Sequence, residues 1–108
     1  MTKKPIHNGA TIRLLPICGD FAEDKDQAAA VRDNQIRSLL KRGKNVILDF
    51  SGITLATQSF VHALISDILR SEGEGILKRI YFHGCVPGVR GIVETVVQYS
   101  LETMDEGK

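Results

Sequence analysis

The feature that most constrains the fold is a short, continuous apolar run, Val46-Ile47-Leu48, which leads into Asp49-Phe50 and then Ser51-Gly52. A strand with one face in water alternates apolar and polar residues. A continuous run is instead typical of a central strand covered on both faces, as in the parallel sheets of α/β proteins. The sequence therefore predicts a central, parallel strand at 46–50.

Segments with helical periodicity lie on either side of this run. Apolar residues recur at helical spacing from about Asp24 to Arg42, from Thr57 to Arg70, and again after Pro87. Gly43 follows the first segment, as glycine does where a helix ends in the left-handed conformation. The middle segment is the clearest, because apolar side chains fill one half of its helical wheel: Phe60, Val61, Leu64, Ile65, Ile68 and Leu69. The sequence therefore predicts three helices.

Two further regions predict strands. Asn8-Gly9 is typical of a tight hairpin turn, in which both turn positions need a positive φ, and a run suited to a strand follows at Thr11–Leu15. Pro5 precedes the turn and has no N–H to donate, so the first, short strand is predicted at a sheet edge. Ile80-Tyr81-Phe82 is the last predicted strand.

The order of these elements predicts an α/β fold in a single domain, residues 1–108. Strands that alternate with helices imply crossover connections and a largely parallel sheet. We expect a mixed four-stranded sheet with an N-terminal antiparallel hairpin and three helices. Residues 1–9 would form the edge strand and its turn, and residues 103–108 a frayed tail. The predicted core consists of Val46, Ile47, Leu48, Phe60, Leu64, Ile68, Phe82, Ile92, Val93 and Val96.

Charge and composition argue against several classes of function. The chain has 14 basic and 13 acidic side chains and a net charge of +1, whereas a nucleic-acid surface needs a basic excess on one face. No apolar run approaches the roughly 20 residues of a membrane span. The N-terminal lysines are not followed by the apolar region of a signal peptide. We therefore expect a cytoplasmic protein that binds neither nucleic acid nor membrane.

The two cysteines do not predict a metal site or a disulfide. Cys18, His83 and Cys85 all follow predicted strands, but a structural zinc site has four ligands and their spacing matches no strong pattern. A disulfide would be unusual in the cytoplasm. The favoured interpretation is a pair of buried, inert thiols.

Three segments, in the same order along the chain, resemble parts of the STAS domain of sulphate transporters and anti-sigma factor antagonists. Val46–Ile53 is similar to the STAS strand before the regulatory loop, and Thr54–Phe60 occupies the position of that loop and the next helix start. Pro87-Gly88-Val89-Arg90 is similar to the sequence that opens the last STAS helix. The pairs Asp49-Phe50 and Ser59-Phe60 resemble a STAS-like family of unknown function more closely. The resemblance implies a regulatory module without a cofactor.

In anti-sigma factor antagonists the loop reads aspartate-serine-serine-glycine, and a partner kinase phosphorylates its first serine. The matching residues here are Thr57, Gln58, Ser59 and Phe60, and the amide of Gln58 cannot accept a phosphoryl group. Ser59 and Thr57 remain candidate phosphoacceptors, because a helix N-terminus holds a phosphate well. The favoured interpretation of Thr57 is an ordinary helix N-cap.

The resemblance also implies a protein partner, either a histidine-kinase-like ATPase or an anti-sigma factor. The implied partner-binding or regulatory surface is formed by the loop and the start of the second helix, with Asp49, Ser51, Thr54, Thr57, Gln58, Ser59 and His62. The chain itself is expected to be a monomer or a weak homodimer. Nothing in the sequence combines a nucleophile, a base and an orienting third group, so we expect no enzyme.

The alternative function is a sensor of a small ligand, a nucleotide or an anion. Asp49 is predicted at the carboxyl end of a central parallel strand, where α/β folds bind ligands, although capping of the following turn is its favoured role. Gly84, Gly88 and Arg90 join the last strand to the last helix and form a candidate anion site. Their spacing is neither that of a P-loop nor that of a dinucleotide-binding fingerprint. The sensor would use this loop together with Asp49 and Ser59 at the carboxyl edge of the sheet.

Overall fold

The computed structural model describes the backbone of residues 6–106 and the side chains of residues 6–103. This part of the chain forms five strands and five α-helices, together with a π-helical turn and a 3-10 helix. In chain order the elements are β1 (Gly9–Arg13), α1 (Leu15–Cys18), β2 (Phe21–Ala22), α2 (Lys25–Val31), the π-helical turn (Arg32–Ile36), α3 (Arg37–Lys41), β3 (Asn45–Asp49), β4 (Leu55–Ala56), α4 (Gln58–Glu72), the 3-10 helix (Glu74–Arg79), β5 (Ile80–His83) and α5 (Pro87–Glu106).

The strands form two parallel sheets. β3 is the central strand of a three-stranded sheet and lies between β1 and β5. The two-residue strands β2 and β4 pair with each other separately. The α/β class and the central position of β3 are confirmed. The predicted mixed four-stranded sheet with three helices is wrong, because the short elements α1, β2 and β4 have too few residues to show a periodicity.

A turn forms here, but it is centred one residue earlier than predicted, on His7 and Asn8, and in the described residues it does not connect two strands. The N–H of Gly9 donates to the carbonyl of Ile6 at 3.1 Å, and Asn8 has the predicted positive φ, 53°, whereas Gly9 does not. Ile6 and His7 are not in a strand, and β1 pairs in parallel with β3. The rest of the predicted edge strand, including Pro5, lies outside the described residues.

The turn instead fastens the start of β1 to the loop that precedes β3. The side-chain N–H of Asn8 donates to the carbonyl of Gly43 at 2.8 Å, and its side-chain oxygen accepts from the ammonium of Lys44 at 3.2 Å. The side chain of Asn45 donates to the carbonyl of His7 at 2.7 Å. These contacts explain how Asn8 can be a turn residue without a hairpin.

The first predicted helix is present as three consecutive segments, α2, the π-helical turn and α3. Asp24 caps its start, since its carboxylate accepts from the backbone N–H of Asp26 at 2.9 Å and of Gln27 at 3.3 Å. Gly43, with φ at 79°, follows the end of α3 as predicted. The boundaries predicted at Asp24 and Arg42 are therefore confirmed.

The helices cover one face of the three-stranded sheet. Val46 and Leu48 of β3 are fully buried on that face, whereas Ile47 points to the other face and is only half-buried. The prediction of a strand covered on both faces is therefore wrong within residues 6–106. Most of the predicted core is confirmed, and the members that are only partly buried are Ile47, Phe82 and Ile92.

The last helix is longer than the sequence indicated. α5 continues to Glu106, past the predicted start of a frayed tail at residue 103. Among residues 6–106, no helix combines the length and the apolar character that a membrane span requires.

Candidate functional site

The carboxyl ends of β1, β3 and β5 meet at one edge of the sheet, and Asp49 lies in the middle of it. Arg13 and His83 are its partners in register on the two neighbouring strands. The carboxylate of Asp49 accepts from the hydroxyl of Ser51 at 2.6 Å and from its backbone N–H at 2.9 Å. These two hydrogen bonds, the hydroxyl first, lower the pKa of Asp49, and the positive charges of Arg13 and His83 contribute less. Asp49 thus has the capping role that the sequence favoured.

A close contact between two loops holds the same edge together. Gly84 follows β5 with φ at 72°, and a Cβ atom placed on it would lie 2.9 Å from the backbone nitrogen of Ser51. The N–H of Phe50 donates to the carbonyl of His83 at 2.8 Å in the same place. Gly84 therefore allows a close approach of the two loops that a side chain would prevent, and its predicted role in holding an anion stays a prediction.

The predicted regulatory loop between β3 and α4 is held against the segment that contains β2. The backbone N–H of Thr54 donates to the carbonyl of Asp20 at 2.8 Å, and its hydroxyl does so at 3.3 Å. The N–H of Thr57 donates to the carbonyl of Ala22 at 2.9 Å. β4 also pairs with β2, so backbone hydrogen bonds connect the loop to this segment along its length.

This arrangement exposes an apolar pair that the sequence analysis missed. Phe21 and Leu55 are partners in register on the neighbouring strands β2 and β4, so their side chains lie on the same face. Phe21 is 42% exposed and Leu55 is 59% exposed. Neighbouring exposed apolar side chains of this size mark interaction surfaces more often than isolated ones do. The available signal was a phenylalanine within a stretch rich in acidic residues, 20–26.

α4 begins directly after this pair. Thr57 is its N-cap, and the hydroxyl oxygen of Thr57 accepts from the backbone N–H of Phe60 at 3.1 Å. The favoured interpretation of Thr57 is therefore confirmed. Gln58 and Ser59 occupy the first turn and are exposed.

Ser59 lines a cleft between the starts of α2 and α4 and the middle of α5. The cleft, here called the Lys25 cleft, encloses about 420 Å³ and is lined by Lys25, Gln58, Ser59, His62, Thr95 and Tyr99 among others. Lys25 is a cation that the sequence analysis did not associate with Ser59, because the two residues are far apart in the chain. The cleft thus combines a hydroxyl, an imidazole and an ammonium group.

The candidate anion residues do not converge with Asp49 and Ser59. Gly88 is exposed in the first turn of α5. Arg90 lines a different surface, a groove of about 750 Å³ between α5 and β5. The residues proposed for a ligand sensor are therefore distributed over the sheet edge, the Lys25 cleft and this groove.

Both cysteines are free thiols and half-buried. The thiol of Cys18 donates to the carbonyl of Leu14 at 3.3 Å. Burial is the main factor that raises the pKa of Cys18 and of Cys85. Within the part of the chain that the structure describes, His, Cys, Asp and Glu side chains form no cluster suited to a metal ion.

Comparison with known protein families identifies a relationship over most of this architecture. A family model described as the STAS-like domain of unknown function (DUF4325) matches residues 27–90, which is more than half of the chain. The matched region includes β3, the loop before α4, α4 itself and β5. Comparisons with curated proteins and with solved structures found no match. The resemblance inferred from the sequence motifs is confirmed, and the chain belongs to the STAS-like domain family.

Proposed function

We propose that this chain is a non-enzymatic regulatory module that binds another protein through the surface at the start of α4. The observation that carries this proposal is the exposed pair of Phe21 and Leu55, which stands beside the α4 N-terminus. We call the docking surface the α4 face, defined by Phe21, Leu55, Gln58, Ser59 and His62. The proposed class of partner, a histidine-kinase-like ATPase or an anti-sigma factor, follows from the resemblance of the loop region to that of anti-sigma factor antagonists.

The α4 face has the composition of a small protein interface. An apolar centre surrounded by polar groups is the usual anatomy of such surfaces. Phe21 and Leu55 supply apolar groups. Gln58, Ser59 and His62 supply polar groups in the first turns of the helix that begins three residues after Leu55. Because hydrogen bonds to Asp20 and Ala22 already hold the loop, little conformational entropy is lost when a partner docks.

Phosphorylation at Ser59 is the regulation that this surface supports best. Ser59 is exposed and shares its cleft with Lys25. A phosphate on Ser59 would add nearly two negative charges at the positive end of the α4 dipole and near that ammonium. Thr57 is the weaker candidate acceptor, because its hydroxyl oxygen is engaged in the helix cap.

The test is a pull-down from the native host with tagged protein, read by mass spectrometry. We expect the wild-type chain to recover an ATP-binding kinase-like protein and a Leu55→Asp variant to lose it. Val86→Ser is the matched control, because Val86 is also an exposed apolar residue, at 39%, but lies outside the α4 face. Equal recovery by the wild-type and the Leu55→Asp variant would contradict the proposal.

A Ser59→Asp variant in the same experiment addresses regulation. Loss of the kinase-like partner, with retention by Ser59→Ala, supports a phosphate-sensitive interaction. If both variants retain the partner, binding is independent of phosphate at Ser59.

A sensor of a small anion is the second candidate function, and the Lys25 cleft is the observation that favours it. Its volume suits a small molecule, and Lys25, Ser59 and His62 offer polar groups to a phosphate or carboxylate. A thermal-shift screen with nucleotides and anions separates the two candidates. A rise of several degrees with one ligand, abolished by Lys25→Ala, favours the sensor.

A further inference from the structure

β5 is an edge strand whose outer side is unpaired within the described residues. The carbonyl of His83 accepts from the backbone N–H of Phe50, the residue that follows β3. The backbone N–H and C=O groups of His83 therefore point toward β3, and so do those of Tyr81, two residues earlier in the strand. Successive residues of a strand alternate in this respect, so Ile80 and Phe82 direct their N–H and C=O groups outward. The strand contains no proline or charged lysine of the kind that protects exposed edges.

An apolar groove runs beside this edge. Phe82 and Val97 are half-buried in its floor, and α5 forms its wall. α5 follows β5 after a short loop and runs back along it, so Cys85 and Arg90 lie at one end of the groove and Leu77 and Glu102 at the other.

The charged side chains along α5 would pair favourably with those of a second α5 that runs in the opposite direction. Arg90 lies at one end of the groove, and Glu102 lies at the other, where its carboxylate already accepts from the side chain of Gln98 at 3.1 Å. Residue 96 is midway between them. When a second α5 is placed antiparallel about that midpoint, Arg90 faces Glu102 of the other copy, and Glu94 faces Gln98. Both pairs are attractive.

A corresponding centre can be assigned to the strand by counting along the chain. Tyr81 is midway between Leu77 and Cys85, which mark the ends of the groove. An antiparallel pair of β5 strands centred on Tyr81 brings the outward-facing groups of Ile80 opposite those of Phe82 in the other copy. This register forms four backbone hydrogen bonds across the axis. The interface proposed below places a single two-fold axis at both centres.

We propose that the β5–α5 groove is the interface of a homodimer in which two β5 strands pair antiparallel and two α5 helices pack side by side. The two three-stranded sheets become one continuous sheet of twice the width. The occupant of the groove is a second copy of this chain, because the charge pattern is self-complementary about a two-fold axis. The α4 face and the groove involve different residues, so dimerisation is independent of the proposed partner binding.

Sedimentation equilibrium of the full chain over a range of micromolar concentrations tests this interface. We expect a dimer for the wild type. Arg90→Glu and Glu102→Arg each place two like-charged pairs across the axis, and each should weaken the dimer about 10- to 100-fold. The double variant Arg90→Glu/Glu102→Arg restores the pairs in reverse and should restore the dimer.

The control is Arg70→Glu, the same charge change at an exposed position of α4 that does not line the groove. It should leave the dimer intact, and circular dichroism checks that every variant is folded. A monomeric wild type would overturn the proposal. So would a dimer that survives both single reversals, or folded double variants that remain monomeric.

Discussion

Ser51 connects the two loops that follow β3 and β5. Its N–H and its hydroxyl both donate to the carboxylate of Asp49, and its backbone lies against Gly84. The contact leaves no room for a side chain at residue 84. At the scale of single residues, three residues therefore connect the two loops at the sheet edge. Asp49 accepts both hydrogen bonds, Ser51 donates them, and Gly84 allows the close approach.

Replacement of Gly84 by alanine tests this contact. Gly84→Ala should lower the free energy of unfolding by roughly 2–4 kcal/mol, because it combines a positive φ with a steric clash against Ser51. Gly43→Ala is the matched control, since Gly43 also has a positive φ, 79°, but no atom near its Cβ position. Its cost should be only about 1–2 kcal/mol. Urea unfolding measures both, and equal costs would show that residue 84 is not crowded.

The carboxylate of Asp49 gives a prediction about pH. Its folded-state pKa is lowered by the hydrogen bonds from Ser51, so the ionised form stabilises the fold. This stabilisation is complete above the unfolded pKa of about 3.9 and is lost as the pH falls through the lower folded value. The stability difference between the wild type and Asp49→Asn should therefore shrink when urea unfolding is repeated at decreasing pH below about 4. A constant difference would mean that Asp49 does not titrate abnormally.

At the scale of elements, α4 is the helix on which the candidate surface depends. Thr57 caps its start, and a buried hydrogen bond of 2.6 Å between the hydroxyls of Ser66 and Ser100 joins it to α5. Both serines are fully buried. Arg32 of the π-helical turn also donates to the carbonyl of Ala63 in α4 at 3.0 Å. Polar contacts from two neighbouring elements thus position the helix.

The serine pair allows a double-mutant cycle. Ser66→Ala or Ser100→Ala alone leaves one buried hydroxyl without this partner and should cost about 1–3 kcal/mol. The double variant removes both hydroxyls, so its cost should be clearly less than the sum of the single costs. Thermal or urea unfolding of the four proteins gives the coupling. Additive costs would indicate that the two hydroxyls do not interact.

At the scale of the whole molecule, the sheet is covered unequally on its two faces. Leu48 is fully buried under the helices, while its neighbour Ile47 lies on the other face beside Thr11 and Tyr81. Thr11 is exposed and Tyr81 half-buried. A parallel sheet normally has helices on both faces, so this molecule is a two-layer variant over residues 6–106.

Adjacent substitutions in β3 test this architecture. Leu48→Ala should cost about 3–4 kcal/mol, because it leaves a cavity in the closed core. Ile47→Ala should cost only about 1–2 kcal/mol, since part of the side chain is already in water. Urea unfolding at one fixed protein concentration compares the two. Equal costs would indicate that the second face is covered as well as the first.

Several features were predictable because their signals are local. Asp24 and Thr57 as helix caps and Gly43 after α3 each depend on residues only a few positions away. A turn that includes Asn8 was predictable for the same reason, although not its exact position. The contacts of Asn8 were not predictable, since Gly43 and Lys44 are distant in the chain.

The candidate site was less predictable than the fold. Ser59 was identified from its position at a helix start, but Lys25 beside it was not. Phe21 and Leu55 were not identified either, because two-residue strands have no periodicity and pair only after the loop has docked on Asp20. A cleft between three helices depends on how the helices pack, and no single segment of sequence contains that information.

The amino-acid sequence was sufficient to locate the longer helices and the central strand, the ends of the first two predicted helices, and the family to which the chain belongs. Backbone propensity, capping and apolar periodicity act within one turn or strand, so these features are encoded locally. The packed fold was needed to show which sheet face is covered, that β2 pairs with β4, and that Asp49, Ser59 and Arg90 lie in three separate places. Those outcomes depend on burial and pairing between residues far apart in the chain, which become defined only when the elements pack together.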